Sequence, residues 1–198
     1  MHGGADPRLL IINTCSLIIG GMTTFHAFLG CSLDGYIAGP NGELDWLTVF
    51  DNTGYDAFFE SVGAMAMGRA TCDVMRESSP DYYRGMPIHV LSATRPVGAQ
   101  PTMGASPVTV HRDIPSLHAA LSADGVERVY VDGGRTVQAF LAGGLLSDLT
   151  VTRVPVVLGG GIPLFGPVPE PVTARLVTSH ATDQGAVQSL YRFPTGVR

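Results

Sequence analysis

The sequence predicts an α/β fold with a mostly parallel central sheet and antiparallel strands at the carboxy-terminal end. Three observations support this fold class. Short apolar, β-branched runs alternate with segments of helical spacing along most of the chain. Glycines follow several of these runs directly before a helix. Two final strands flank residues 182–185, whose Asp and Gly suit a hairpin turn.

Predicted strands and helices alternate along most of the chain. An alternating strand over 25–33 is followed by a glycine- and proline-rich loop over 35–42 and by a helix over 55–62. The remaining elements are a strand over 64–67, a helix over 71–75, strands over 88–92 and 108–111, a helix over 117–122 behind Pro115, a strand over 126–131, a helix over 135–142, a strand over 149–158 interrupted at Pro155, and strands over 174–180 and 186–193.

Composition narrows the class of protein. A chain of 198 residues that is 45% hydrophobic and 15% charged suits one domain with a substantial core. The net charge of -5 argues against a nucleic-acid surface, which needs a clustered positive field. All 12 basic residues are arginine, so lysine Schiff-base and lysine general-base chemistry are excluded. Contacts to a phosphate would therefore come from Arg, Ser, Thr and backbone N–H groups.

Cysteine and histidine usage indicates a cytoplasmic protein without a metal site. Cys15, Cys31 and Cys72 form no CxxC pair and are too few for a disulfide framework, which favours a reducing compartment. The six histidines lack metal-ligand spacing. His26, His89 and His111 fall in predicted strands, and we expect them to be structural.

The amino-terminal segment has two interpretations. The apolar run over 9–21 contains polar residues and is too short to span a bilayer, so we expect no membrane partner. Met22 stands immediately before the first convincing strand. Residues 1–21 are therefore either a dispensable extension or an ordered apolar arm, and the domain itself is expected over 22–198.

Three strand-to-helix turns carry the candidate chemistry: GRAT at 68–71, LSATRP at 91–96 and DGGRT at 132–136. Such turns lie at the carboxyl ends of strands, where helix N–H groups point toward bound anions. Glycine lets the backbone approach a pyrophosphate, and Thr71 and Thr136 can donate hydroxyl hydrogen bonds. Each turn alone could be a tight connection with a capping threonine. Together they favour a dinucleotide site, although there is no GxGxxG fingerprint or P-loop.

Longer segments carry a resemblance to a known family. They are SLDGYIAG at 32–39 with LDWL at 44–47, MGRAT at 67–71, VDGG at 131–134, and PVVLGGG at 155–161 followed by LFG at 164–166. Over about 24–193 the chain resembles the dihydrofolate-reductase-like superfamily, in particular the carboxy-terminal reductase domain of bifunctional riboflavin-biosynthesis enzymes. The resemblance implies a three-layer fold, NADPH as the cofactor and a homodimer.

The resemblance also implies a set of cofactor contacts, each carried onto a matching position. Main-chain groups of Ile37, Ala38 and Gly39 would line the nicotinamide side, and Gly68, Arg69 and Thr71 would hold the pyrophosphate and adjacent phosphate. Ser92 and Arg95 resemble the 2′-phosphate contacts, which would favour NADPH over NADH. The turn beneath the pyrophosphate and nicotinamide ribose would be formed by Gly133, Gly134, Arg135 and Thr136.

The candidate catalytic residues are Asp51 and Tyr55. In dihydrofolate reductases a carboxylate beyond a tryptophan on the first helix pairs with the pterin, and Asp51 stands at that offset from Trp46. Asp51 is otherwise a helix cap or turn residue. Tyr55 would stack on, or hydrogen-bond to, a heteroaromatic ring. Asp34, directly before Gly35, favours a loop-stabilising role.

The reaction implied by the resemblance is hydride transfer from NADPH to a C=N or C=O carbon of a small heteroaromatic substrate. The most similar activity is that of 5-amino-6-(5-phosphoribosylamino)uracil reductase. The HxE and PCxxC zinc signature of the partner deaminase domain is absent, so the substrate can differ. Two alternatives stay open: a dihydrofolate reductase, and a non-catalytic NADPH-binding sensor.

Overall fold

The computed structural model describes residues 22–50 and 53–195, and the expectation for residues 1–21 lies outside them. Four helices occur in the described ranges: α1 (Tyr55–Glu60), α2 (Arg69–Ser78), α3 (Ile114–Ala123) and α4 (Gly134–Ala142). The strands there are β1 (Thr24–Cys31), β2 (Tyr36–Ala38), β3 (Ala64–Gly68), β4 (Ile88–Leu91), β5 (Gly98–Met103), β6 (Ser106–His111), β7 (Arg128–Asp132), β8 (Leu146–Arg153), β9 (Ile162–Pro163), β10 (Arg175–Ala181) and β11 (Val187–Arg192).

Nine of these strands form one sheet in the order β10-β11-β8-β1-β7-β3-β4-β6-β5. The six from β8 to β6 are parallel to one another. Antiparallel pairing joins β11 to β8 and β10 to β11 at one end of the sheet, and β5 to β6 at the other. The short strands β2 and β9 pair separately. The predicted fold class, with antiparallel carboxy-terminal strands, is confirmed.

Two apolar clusters show that helices cover both faces of the sheet. On one face, Leu117 of α3 and Phe140 of α4 pack with Phe25. On the other face, Phe59 of α1 and Cys72 of α2 belong to the second cluster. Successive side chains of a strand point to opposite faces, so the central strands are buried on both sides and appear in the sequence as continuous apolar runs. The result is a three-layer arrangement.

Some predicted elements have different bounds in the structure, and some strands were not predicted. The strand predicted over 149–158 spans Leu146–Arg153, because the chain leaves the ladder where Pro155 lacks an N–H donor. The helix predicted over 71–75 extends over Arg69–Ser78. Strand β5 was not predicted, since its glycine and proline weaken the strand pattern. It is an edge strand, where proline is tolerated.

The helices within the described ranges are all too short or too polar to cross a membrane.

Candidate cofactor-binding site

The three predicted turns lie at one edge of the sheet, where the parallel strands have their carboxyl ends. Strand β3 ends at Gly68 before α2, and β7 ends at Asp132 before α4. Strand β4 ends at Leu91, and the next amide, of Ser92, donates to the carbonyl of His111 at 3.0 Å. Ligands of open α/β sheets bind outside this edge.

The first turns of α2 and α4 are in direct contact. A Cβ atom on Gly133 would overlap the Thr71 hydroxyl, and one on Gly68 would lie 3.0 Å from the Thr136 hydroxyl oxygen. Each glycine therefore makes room for a threonine of the other turn. The structure brings these four sequence-predicted residues together.

Both helices begin without a side-chain cap, so the two threonines are not the capping residues that the sequence allowed. Helix α3 differs, since the Asp113 carboxylate accepts from the Ser116 amide at 2.8 Å. First-turn N–H groups have no partner within the helix and carry partial positive charge. Two adjacent helix starts of this kind favour an anion at this edge of the sheet.

The predicted nicotinamide-side segment lies beside the start of α4. A Cβ atom on Gly134 would overlap the tip of the Ile37 side chain and lie 3.6 Å from that of Ile162. Strands β2 and β9 pair so that Ala38 stands opposite Ile162. A Cβ atom on Gly161 would overlap the Ala38 carbonyl oxygen, which shows how closely the glycine run approaches β2. The amide of Gly39, the last residue of this segment, donates to the carbonyl of Glu43 at 2.9 Å.

Asp34 joins the loop after β1 to that glycine run. Its carboxylate accepts from the Ser32 hydroxyl at 2.6 Å, from the Leu158 amide at 3.1 Å and from the Gly159 amide at 2.8 Å. The hydrogen bond from Ser32, followed by those of the backbone amides, lowers the pKa of Asp34. Asp34 thus has the loop-stabilising role expected from the sequence.

The loop that carries Ser92 and Arg95 is held from both sides. The buried Ser92 oxygen accepts from the Arg95 amide at 3.0 Å. The Arg112 guanidinium donates to the carbonyl of Ser92 at 3.1 Å, to that of Ala93, and to that of Arg95 at 3.3 Å. Sequence reasoning missed Arg112, because its partners lie 17 to 20 residues away in the chain.

Arg69 and Arg95, predicted as phosphate contacts from separate turns, meet at one carboxylate. Arg69 donates to Asp73 at 3.2 Å, and Arg95 donates to the other oxygen of the same carboxylate. Arg95 also lies 3.9 Å from the sulfur of Cys72. Asp73 was not predicted as a site residue, although its spacing of four from Arg69 on a helix is typical of an ion pair. Arg135 is exposed at the start of α4.

Of the two candidate catalytic residues, the structure describes only Tyr55. Asp51 lies outside the described residues. The Tyr55 hydroxyl is buried, and its ring packs against other aromatic rings, among them Phe28 at 5.4 Å and Tyr130 at 6.2 Å between centroids. Burial raises the pKa of Tyr55, and the charge of Asp132 adds to the effect. Tyr55 lies in this aromatic cluster and is not one of the residues that meet at the glycine turns, and its catalytic role stays a prediction.

Asp132 is a further site candidate, which the sequence analysis placed in the DGGRT turn without giving it a role. It ends β7 directly before Gly133, and its half-buried carboxylate accepts from the Tyr83 hydroxyl at 3.0 Å and from the Gly133 amide at 2.7 Å. Burial raises the pKa of Asp132, and these two hydrogen bonds lower it in part. A carboxyl with a raised pKa at the ligand edge of a sheet is suited to holding a proton. The sequence did contain a signal for such a role, since a charged residue ends a strongly apolar strand there.

The sheet, the two helical layers and the glycine turns define an α/β domain of the dihydrofolate-reductase-like class. The chain belongs to the family of the RibD C-terminal domain, whose model matches residues 24–188. It therefore has the fold of the riboflavin-pathway reductases, and the resemblance stated from the sequence is confirmed.

Individual relatives agree with this assignment. A Shewanella sp. PV-4 protein named for riboflavin biosynthesis is 33% identical, with a TM-score of 0.77 over 87% of this chain and 99% of its own. The uncharacterized protein YwjB of Bacillus subtilis (strain 168) is 28% identical over 75% of this chain and 86% of its own length.

A bifunctional enzyme shares the fold. The Thermotoga maritima diaminohydroxyphosphoribosylaminopyrimidine deaminase/5-amino-6-(5-phosphoribosylamino)uracil reductase matches 87% of this chain and 57% of its own with a TM-score of 0.68. At 14% identity this likeness shows the fold alone.

Proposed function

We propose that this protein is an NADPH-dependent reductase of a small pyrimidine- or pterin-type substrate, most like a 5-amino-6-(5-phosphoribosylamino)uracil reductase. The observation that carries the proposal is the meeting of two uncapped helix starts with arginine, serine and threonine donors at one sheet edge. Membership of the RibD C-terminal domain family supports it. The Shewanella relative, named for riboflavin biosynthesis, supports the choice of pathway.

The donor set fits a phosphorylated dinucleotide. The helix starts at Gly68 and Gly133 offer backbone N–H groups to a pyrophosphate. Arg95 offers a charged, planar donor to a 2′-phosphate. The Ser92 oxygen accepts two backbone hydrogen bonds and keeps its own proton to donate. The site therefore suits NADPH better than NADH.

When bound, NADPH supplies a hydride to a C=N or C=O carbon of the substrate, whose nitrogen or oxygen gains a proton as the double bond becomes single. The chain has to position both molecules and exclude water. Ile37 contacts the start of α4, and together with Ala38 and Gly39 it would line the nicotinamide pocket through the main chain. Asp34 fixes the glycine run that lies against β2.

The substrate also needs a source of this proton. Asp132 is our candidate, because its carboxylate adjoins the Gly133 turn and because burial raises the pKa of its carboxyl. Asp51 remains a candidate for anchoring the substrate and relaying a proton, and Tyr55 for stacking on or hydrogen bonding to the substrate ring. A carboxyl group and a phenol both match the donors and acceptors along the edge of a pyrimidine or pterin.

Titration of the purified protein with NADPH and NADH by fluorescence tests the proposal. The phosphoribosylamino-pyrimidine and then dihydrofolate are added while the absorbance of the reduced nicotinamide is recorded. We expect tighter binding of NADPH and its oxidation with the pyrimidine. Oxidation with dihydrofolate alone would select dihydrofolate reductase, and binding without oxidation would favour the sensor. Absence of binding to both nucleotides would overturn the proposal.

We also propose a cytoplasmic homodimer. Strand β10 forms one edge of the sheet, with Leu176 exposed, and an open edge offers unpaired backbone groups to a second copy. The two described cysteines, Cys31 and Cys72, are free thiols, which suits a reducing compartment. A monomeric mass by light scattering at micromolar concentration would contradict the dimer.

A further inference from the structure

Asp73 lies between the two arginines that the proposed cofactor site assigns to phosphates. Its carboxylate accepts from Arg69 on one oxygen, at 3.2 Å, and from Arg95 on the other. Arg69 is the first residue of α2, whereas Arg95 belongs to the loop after β4. The carboxylate thus joins two separate parts of the site.

Asp73 is not needed to place the backbone of either arginine. The Arg95 loop is held by Ser92 and by three hydrogen bonds from Arg112. Arg69 is fixed by the start of α2 and by its attachment to β3. What the carboxylate changes is the orientation of the two guanidinium groups and the net charge of the cluster. The three side chains together carry a charge of about +1, where the arginines alone would carry +2.

We propose that Asp73 sets the cofactor selectivity of this site by limiting its preference for NADPH. This inference rests on the proposed function. Without nucleotide, Asp73 is the counter-ion of Arg95. A 2′-phosphate must take that guanidinium over from Asp73 and then remain close to a negative carboxylate, which costs free energy. The 2′-hydroxyl of NADH carries no charge and donates a hydrogen bond to a carboxylate, so NADH escapes this cost.

The test compares dissociation constants for NADPH and NADH, measured by fluorescence titration of the full chain. Asp73→Asn and Asp73→Ser remove the charge with different side chains, and Asp73→Glu keeps it. Glu77→Gln is the matched control, because it removes one negative charge one turn further along the same helix, at an exposed position. Titration with 2′,5′-ADP and with 5′-AMP repeats the comparison without the nicotinamide half.

We expect Asp73→Asn and Asp73→Ser to raise the NADPH-to-NADH affinity ratio about two- to fivefold, the range expected for one ion pair that is still partly in contact with solvent. Asp73→Glu and Glu77→Gln should keep the wild-type ratio, and the ratio for 2′,5′-ADP over 5′-AMP should follow that for NADPH over NADH. Circular dichroism and thermal unfolding identify any variant that does not fold, and the other charge-removing variant then decides.

The two possible failures are distinguishable. Wild-type protein that binds neither nucleotide overturns the proposed function and this inference with it. Wild-type protein that binds NADPH, with an unchanged or lowered ratio in the folded charge-removing variants, overturns only the role of Asp73. An equal rise in Glu77→Gln would assign the effect to net charge and would also overturn that role.

Discussion

Gly133 meets two constraints at one position. Its φ of 86° lies in the left-handed region, where residues with a side chain are strained. A Cβ atom there would also overlap the Thr71 hydroxyl. The glycine is therefore required by the contact between the starts of α2 and α4, before any cofactor is considered. That contact brings two uncapped helix starts side by side, an arrangement that favours an anion at this edge.

The hydrogen bond from Tyr83 to Asp132 predicts the effect of Tyr83→Phe. Tyr83 is buried, and the variant leaves the carboxylate with one charge-assisted hydrogen bond fewer. We expect the free energy of unfolding, measured with urea at pH 7, to fall by about 1–3 kcal/mol. Tyr36→Phe is the control, because it also removes a tyrosine hydroxyl, but from β2. We expect it to change the free energy of unfolding by less than about 0.5 kcal/mol.

The same variant has a pH signature. The folded-state pKa of Asp132 is raised, so its contribution to stability is complete below the unfolded-state pKa and is lost as the pH rises through the folded-state pKa. The Tyr83 hydrogen bond lowers this pKa. In Tyr83→Phe the loss should therefore continue to higher pH than in the wild type. Parallel profiles for the two proteins would contradict this account of Asp132.

Which residue roles were predictable depended on how far apart in the chain the partners lie. Asp34 was assigned to loop stabilisation because an aspartate before a glycine is a local signal. The role of Asp132 was missed, since its partner Tyr83 is 49 residues away and only the sheet brings them together. Asp73 was missed for the same reason, since it lies in α2 and its partner Arg95 lies 22 residues further along, in the loop after β4.

At the scale of elements, arginine side chains hold segments that lack a complete backbone ladder. Arg112 donates to three carbonyls of the loop after β4. Arg76 of α2 donates to the carbonyls of Thr102 at 2.7 Å and Pro101 at 3.1 Å. The hydrogen bonds from Arg76 help to explain why residues 98–103 form β5, which the sequence pattern did not predict. Strand β5 pairs with a neighbour on one side only, and α2 supplies further hydrogen bonds.

Arg112→Gln tests whether the loop after β4 is preorganised for the cofactor. An amide cannot reproduce the three hydrogen bonds, so Ser92 and Arg95 should lose their fixed positions. We expect NADPH to bind about three- to tenfold more weakly, which corresponds to roughly one hydrogen bond, and the amide of Arg95 to exchange faster with deuterium. Arg76→Gln is the matched control, because it releases two carbonyls of β5 instead. Equal weakening of NADPH binding in both variants would show that the loop has no special role.

At the scale of the whole molecule, burial explains which parts of the fold were predictable. The central parallel strands are covered on both faces, so they appear in the sequence as apolar runs bounded by glycine. The order of the strands in the sheet was not predictable in this way, since β7 lies between β1 and β3 although it follows β6 in the chain. That order results from packing between distant segments. The antiparallel end at β10 and β11 was predicted, because a hairpin is a local structure.

Buried histidines on three strands make the whole molecule sensitive to acid. Burial lowers the pKa of His26 and of His89 to about 4, and it also lowers the pKa of His111. His89 and His111 lie 2.9 Å apart between ring nitrogens, so one ring must accept a hydrogen bond, which a protonated ring cannot do. A lowered folded-state pKa means that the stabilising contribution is present above the unfolded-state pKa, near 6.5, and is lost as the pH falls toward 4.

We therefore expect the free energy of unfolding to fall between pH 7 and pH 5, by roughly 2 kcal/mol for each histidine with a pKa of about 4. Urea unfolding at the two pH values measures this loss, which is large beside the roughly 5–15 kcal/mol that is typical of a domain. His89→Asn removes one buried ring, so its unfolding free energy should change less over the same interval. Equal pH dependence in the variant and the wild type would mean that His89 is not the buried neutral group, and the loss of stability would then have to arise at His26 or His111.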